Sequence, residues 1–198
     1  MIFSLILKLI ELFPIVDYKI LWEGFLKGDV GSHCLISVDG TDFQVYRQKG
    51  SYKFWYGFKF KKPGVRYEVG VSIVNGDIVW INGPFPCGHF NDIKIFRTAL
   101  KNMLVNGERV EADDGYVGEA PTYVLCPKAI RSVEVSTEEK KLAQRIRSRQ
   151  EIVNKRFKQF GCLRQIFRHP IEKHACCFRA VAIVTQISMQ NGSPLFAI

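Results

Sequence analysis

No stretch of this chain has the ~20 consecutive apolar residues that a membrane-crossing helix needs. The most apolar segment, Met1 to Phe13, is interrupted by Lys8 and Glu11. It lacks the basic start and small-residue cleavage site of a secretory leader. It reads instead as a short helix packed on the core and ended by Pro14, and no membrane partner is expected. Internal repeats, low-complexity tracts and a linker between two domains are also missing. The six cysteines (Cys34, Cys87, Cys126, Cys162, Cys176 and Cys177) contain no CxxC pair and no framework spacing. They are expected to be reduced thiols in an intracellular protein. His169 and His174 beside Cys176 and Cys177 match no common zinc spacing, and a cysteine facing the core of the last helix is the plainer reading. Negative charge is scarce: 19 acidic residues stand against 28 basic ones, a formal net charge of +9. A polyanionic partner follows, nucleic acid before an anionic membrane surface, with a merely basic solvated surface as the alternative.

What the chain does contain is enough apolar residue, 47% of 198, for one sizeable domain. Tyr18 to Asp29 reads as a second short helix, and Gly28, Gly31 and Ser32 mark a loop. Leu35 to Val45 reads as a strand. Tyr52, Phe54, Tyr56, Phe58 and Phe60 alternate, which predicts a strand over 52–61. Pro63-Gly64 signals a turn. Tyr67, Val69, Val71 and Ile73 alternate cleanly, Asn75-Gly76 is a hairpin signal, and Ile78–Ile81 is the return strand. The first half is thus an antiparallel meander. Gly83 to Gly88 reads as a loop. Asn91 or Asp92 can cap a helix to about Val105, with Ile93, Phe96, Leu100 and Leu104 at helical spacing. A strand over Val110–Tyr116 follows that helix, which suggests a crossover into the same sheet, and Thr122–Leu125 reads as another. Ser136 and Glu139 form a capping box for a helix running to Gly161. Pro170 opens a last helix to about Gln190. The fold class expected is α/β, a mixed sheet with helices on its faces. Residues 1–30 form an N-terminal helical segment, and 31–198 the main domain.

Three acidic positions stand out. Asp39 lies in Ser37-Val38-Asp39-Gly40-Thr41-Asp42-Phe43, a carboxylate inside an apolar strand where carboxylates are depleted. Asp113 ends the strand after the crossover. Were the two strands neighbours, their carboxylates would repel unless a proton or cation lay between them. Mg²⁺ suits such a site because it takes oxygen ligands and binds one or two carboxylates with phosphate oxygens and waters. Glu151 lies in the basic run Arg145 to Arg156, roughly opposite the stripe Leu142, Ile146, Val153, Phe157 and Phe160. On spacing alone it is a surface glutamate in i, i+4 pairs with Arg147 and Lys155. The alternative is a basic face that meets DNA, with Glu151 aimed at the scissile phosphate.

Four segments in order carry a resemblance: Val38-Asp39-Gly40-Thr41; Gly83-Pro84 with Gly88-His89-Phe90-Asn91-Asp92-Ile93-Lys94-Ile95-Phe96-Arg97; Ala112-Asp113-Asp114-Gly115-Tyr116; and Arg149-Gln150-Glu151-Ile152-Val153-Asn154-Lys155-Arg156-Phe157-Lys158. Together they resemble the catalytic domain of DDE-type transposases, the endonuclease superfamily of PIF/Harbinger-like elements and related insertion sequences. The resemblance implies an RNase H-like fold over 31–198. It implies a Mg²⁺- or Mn²⁺-dependent endonuclease that cuts and transfers DNA strands with Asp39, Asp113 and Glu151 as both metal ligands and catalytic acids. Asp114 stands where the family more often has a small residue. Asp42 and Asp92 would be supporting residues, Asp92 as a helix cap. Arg147, Lys155 and Lys158 would hold the DNA backbone, contacts that position a duplex without reading its sequence.

The partners implied are DNA, a separate DNA-binding protein such as some members use, and a second copy of the chain. The expected location is intracellular, and nuclear in a eukaryotic host. Transposases of this kind carry an N-terminal helical domain for terminal-repeat recognition, and no helix-turn-helix is read before the first strand. A transposon-derived, catalytically inactive protein that binds DNA or another protein is therefore the second expectation. The aromatic row 52–60 is either a core face or a surface on which bases stack.

Overall fold

In a computed structural model of the chain, the described residues are 34–46, 52–105, 107–131 and 136–198, together with Lys8. The expected N-terminal helices and the loop at 28–32 lie outside them, Lys8 apart.

The sheet is built around β1 (Cys34–Gln44). Its inner position follows from its residues. Ile36 and Val38 point to one face, Phe43 and Val45 to the other, and all four are buried. Both faces of β1 must therefore be covered. β3 (Lys62–Ser72) pairs antiparallel with β1, Asp39 opposite Val69. β4 (Ile78–Pro86) pairs antiparallel with β3. On the other side of β1, β5 (Arg109–Ala112) pairs parallel, with Val38 opposite Ala112. β6 (Val124–Leu125) continues parallel to β5. The order is β4-β3-β1-β5-β6, and β2 (Tyr56–Gly57) pairs only with the start of β3. The chain is thus α/β with a mixed sheet between helices, as the sequence implied.

One face of the sheet carries Phe43, Tyr67, Val69 and Val71 against Val153, Phe157, Phe178 and Val181. The helices there are α5 (Thr137–Phe157) and α7 (Ile171–Gln190). The other face packs Ile36, Val38, Trp80, Val110 and Ala112 on Phe96, Leu100 and Tyr116. It is covered by α2 (Asp92–Thr98), α3 (Leu100–Met103) and a 3₁₀ turn at Asp114–Glu119. Short helices α1 (Tyr52–Trp55), α4 (Pro127–Arg131) and α6 (Gly161–Arg164) fill the connections. The capping box at Ser136 and Glu139 is present. Pro170 is the residue before α7 rather than its first residue.

Several expectations need correction. The aromatic row over 52–61 is not a strand: only Tyr56 and Gly57 pair. Phe60 instead turns back onto the backbone. A Cβ at Gly57 or Gly64 would collide with its ring, so those glycines make room for it. Pro63-Gly64 accordingly lies inside β3 and not in a turn. β4 runs through the expected loop to Pro86. Gly83, at φ 135°, sits beside the irregularity in pairing between Arg66 and Glu68, and the strand resumes beyond it. The helix expected to Val105 breaks at Ala99, with φ −144° and ψ −65°. In α5, Ala143 and not Leu142 starts the buried stripe, and Leu142 is exposed. The helix stops at Phe157, leaving Phe160 beyond it as the residue that precedes α6.

Candidate functional site

A parallel pairing places the two aspartates. Val38 and Ala112 are partners in β1 and β5, and the next residue of each strand is Asp39 or Asp113. Asp113 is exposed and caps the 3₁₀ turn, its Oδ1 accepting from the Gly115 amide at 2.8 Å. Asp114 turns elsewhere, accepting from the Lys128 amide at 2.9 Å. That separates the two neighbouring acids and leaves Asp113 as the one beside Asp39.

Asp39 faces α5, where Asn154 Nδ2 donates to its Oδ2 at 2.8 Å. Burial pushes its carboxyl up to about 7, and repulsion from Asp113 and Asp92 adds to the rise while Lys59 opposes it. One turn before Asn154, Gln150 accepts from Ser37 Oγ at 2.8 Å and donates to the Val69 carbonyl at 3.1 Å. Gln150 and Asn154 therefore dock α5 on the sheet. Their spacing with Arg147 and Glu151 is i, i+3, i+4, i+7, a single helical face.

Glu151 lies on the exposed side of α5, away from the apolar stripe, and borders a cleft whose walls include Asp39, Asp113, Glu111, Arg147 and Gln150. Its side chain is 67% exposed, with Lys155 Nζ at 3.8 Å. All three expected acids thus line one cleft, Asp39 half-buried and Asp113 and Glu151 exposed. Among the described residues, no three His, Cys, Asp or Glu side chains are grouped so as to hold a metal ion.

The expected DNA contacts are more occupied than the sequence suggested. Arg147 Nη1 lies 2.5 Å from Glu111 Oε1, in place of the i, i+4 pair with Glu151. Glu111 is 1% exposed. Burial raises its carboxyl to about 7, with Arg147 opposing. Lys155 is largely in solvent apart from Glu151. Lys158 ends α5, its Nζ 5.8 Å from the Phe43 ring centroid. Desolvation and Lys59 hold its amine below the ordinary value, against Asp42 and Asp39.

Asp42 and Asp92 are joined through Arg66, and only the expected capping role of Asp92 is not seen. Asp42 holds Arg66 through two bonds, Nε to Oδ1 at 2.6 Å and Nη2 to Oδ2 at 2.8 Å. Arg66 Nη1 in turn lies 3.2 Å from Asp92 Oδ1. The cap of α2 is Asn91, whose Oδ1 accepts from the Lys94 amide. Asp92 is pressed instead onto Gly40, where a Cβ would overlap Oδ1, and onto Gly115, where a Cβ would stand 3.3 Å from Oδ2. Burial raises its carboxyl too, Arg66 opposing and Asp113 and Asp42 adding to the rise. Asp92 is therefore a third aspartate at the Asp39–Asp113 end of the sheet. Glycine on both sides of the cluster was the available signal, since only glycine admits such close approach.

Under this cluster Glu68 is fully buried and accepts from Trp80 Nε1 at 2.8 Å, burial raising its carboxyl to about 8. No local pattern warns of it, because a lone glutamate in a clean strand alternation reads as solvent-facing. His174 is buried, its Nδ1 lies 2.8 Å from the Tyr67 hydroxyl, and burial lowers it to about 4. All six cysteines are free.

Comparison of the chain with protein-family models, curated proteins and solved structures finds no match.

Proposed function

We propose that the chain is a metal-dependent DNA endonuclease domain of DDE transposase type, with Asp39, Asp113 and Glu151 as its acids. One observation carries this: three acids far apart in sequence, chosen by motif, line a single cleft. An antiparallel meander continued by parallel strands, with helices on both faces, is also the sheet expected of an RNase H-like domain. The donor set fits a hard divalent cation such as Mg²⁺ or Mn²⁺ in its chemistry. A half-buried carboxylate held up to about 7 partly by its neighbours' charge gains from a cation beside it. Asp39 and Asp113 would hold the ion, and Glu151 would complete the site from the rim. Such an ion supplies Lewis acidity toward the phosphodiester and favours the hydroxide form of water.

The chain's own contribution is orientation. Asn154 fixes the Asp39 carboxylate, and the Gly115 amide fixes that of Asp113. Gln150 locks the helix that carries Glu151. Glu151, in solvent, would orient a water or a 3′-hydroxyl.

A second reading, a transposon-derived protein that binds DNA or protein without cutting, is favoured by the local pairing of Glu151 with Lys155 and by the lack of a three-ligand group among the described residues. Nicking of supercoiled plasmid with Mg²⁺ or Mn²⁺ separates the two. Wild type should nick, while Asp39→Asn, Asp113→Asn and Glu151→Gln should lose at least about a hundredfold in rate, in line with the loss of a group that acts in the transition state. Nicking that persists in all three variants sinks the assigned site. Binding without nicking supports the second reading.

A further inference from the structure

Burial explains most of the aromatic residues of this protein, but not those between β1 and β3. Phe58 is 80% exposed and Tyr52 53% exposed, and Phe54 is exposed as well. A row at strand spacing is expected to fill a core. Here the row leaves the sheet as a helical turn and a tight reversal, so its rings stand outside. They are not scattered singly. Tyr52 meets Tyr56 at 5.6 Å between centroids, Tyr56 meets Phe58 at 5.2 Å, and Phe54 stacks on His89 at 5.1 Å. Contiguous exposed rings of this kind mark an interaction site rather than ordinary surface.

The charge around them selects the partner. Lys53, Lys59, Lys61, Lys62 and Lys94 are all exposed in the same stretch or beside it. Phe58, Lys59, His89 and Lys94 line one recess, and its wall includes Arg66. The same Arg66 reaches Asp92 at 3.2 Å, so the recess backs directly on the acidic cluster. Lys59 acts electrostatically on both Asp39 and Asp92, yet pairs with no carboxylate among the described residues. A ring with a free face beside an unpaired lysine matches one nucleotide: the base stacks and the phosphate meets the ammonium. In a duplex both faces of each base are already covered, so only an unpaired base can use such a ring.

We propose that Phe58 and Lys59 dock one unpaired nucleotide next to the acidic cleft, making a single-stranded or unpaired segment the preferred substrate. Phe58 supplies the stacking face and Lys59 the phosphate contact. The position relative to the reacting phosphate rests on the nuclease reading above. The dock itself rests on the recess.

The test is fluorescence anisotropy with a labelled 20-mer DNA, as single strand and as blunt duplex, in metal-free buffer. Phe58→Ala should weaken single-strand binding about tenfold, the size of one base–aromatic stack, and change duplex binding less than about twofold. Phe58→Trp should restore it. Lys59→Gln should weaken both and flatten the salt dependence by about one unit of slope. Because Phe58 is exposed, unchanged melting of both variants is expected and excludes misfolding. Wild-type single-strand affinity in Phe58→Ala overturns the proposal, as does an equal loss on duplex. Binding to phosphatidylserine vesicles that Phe58→Ala abolishes, with single-strand binding intact, overturns it in favour of a membrane surface. Absence of nicking alongside the expected anisotropy pattern refutes the nuclease reading alone.

Discussion

Replacing Asp39 with Asn removes a negative charge that the fold holds against its surroundings. The folded-state carboxyl titrates near 7, against 3.8 for an ordinary aspartate. A difference of about three units at about 1.4 kcal/mol each amounts to about 4 kcal/mol at most. The sign follows from proton binding. Between about pH 4 and 7 the native state holds the proton and the unfolded state does not, so the unfolding free energy falls as pH rises through that window. Asn keeps the shape and an oxygen that can accept from Asn154. In metal-free buffer Asp39→Asn should match wild type near pH 4 and exceed it by about 2–4 kcal/mol near pH 8, the pH span of the shift. Urea unfolding followed by the fluorescence of buried Trp80 measures both. Asp113, Asp92 and Lys59 face the same carboxyl and remain in the variant. Glu68 and Glu111, raised to about 8 and about 7, also remain, so the variant should keep a reduced slope and not lose it. Parallel pH profiles for wild type and variant would refute the assignment of a half-buried, cation-seeking charge at Asp39.

Two further predictions concern the supports of the cleft. Arg147→Met leaves Glu111 buried without its cation, which should cost about 3 kcal/mol at pH 8. The loss should shrink near pH 5, where Glu111 is protonated in the native state, and urea unfolding at both pH values checks it. Unchanged stability would return Arg147 to the role of a free DNA contact. Gly40→Ala places a methyl on Asp92 Oδ1, which Arg66 holds in position. It should destabilise by about 1–3 kcal/mol in thermal unfolding, as overpacking does. Gly161→Ala, where no neighbour lies within 4 Å, is the control expected to be near neutral.

Much of the sheet was legible because its signals are periodic. Tyr67, Val69, Val71 and Ile73 alternate, and Asn75-Gly76 punctuates the hairpin. The crossover to β5 was legible because a helical run followed by a short strand has few other solutions in one sheet. What misled was aromatic alternation over 52–60, in which apolar spacing described one set of rings without any second surface to bury them. The expected loop after Ile81 failed for the converse reason: glycine and proline can sit within a strand where its pairing is irregular.

The candidate site divides in the same way. Asp39 and Asp113 could be named from sequence because a carboxylate at a strand position must be explained. That they come side by side, Asp39 within β1 and Asp113 just past β5, is a matter of register, set when Val38 meets Ala112. Glu151 could be named only by resemblance, since helical spacing gave it two ion-pair partners. Its place at the cleft was decided by Gln150 and Asn154, polar residues whose burial no local pattern announces. Asp92 and Glu68 joined the cluster through contacts between separate chain segments that only packing creates. By itself the sequence determined the layers, the two aspartates and the basic character, because those depend on local periodicity and residue type. The tertiary structure decided which charges face one another and which rings face water, because both depend on chain segments brought together only when the core closes.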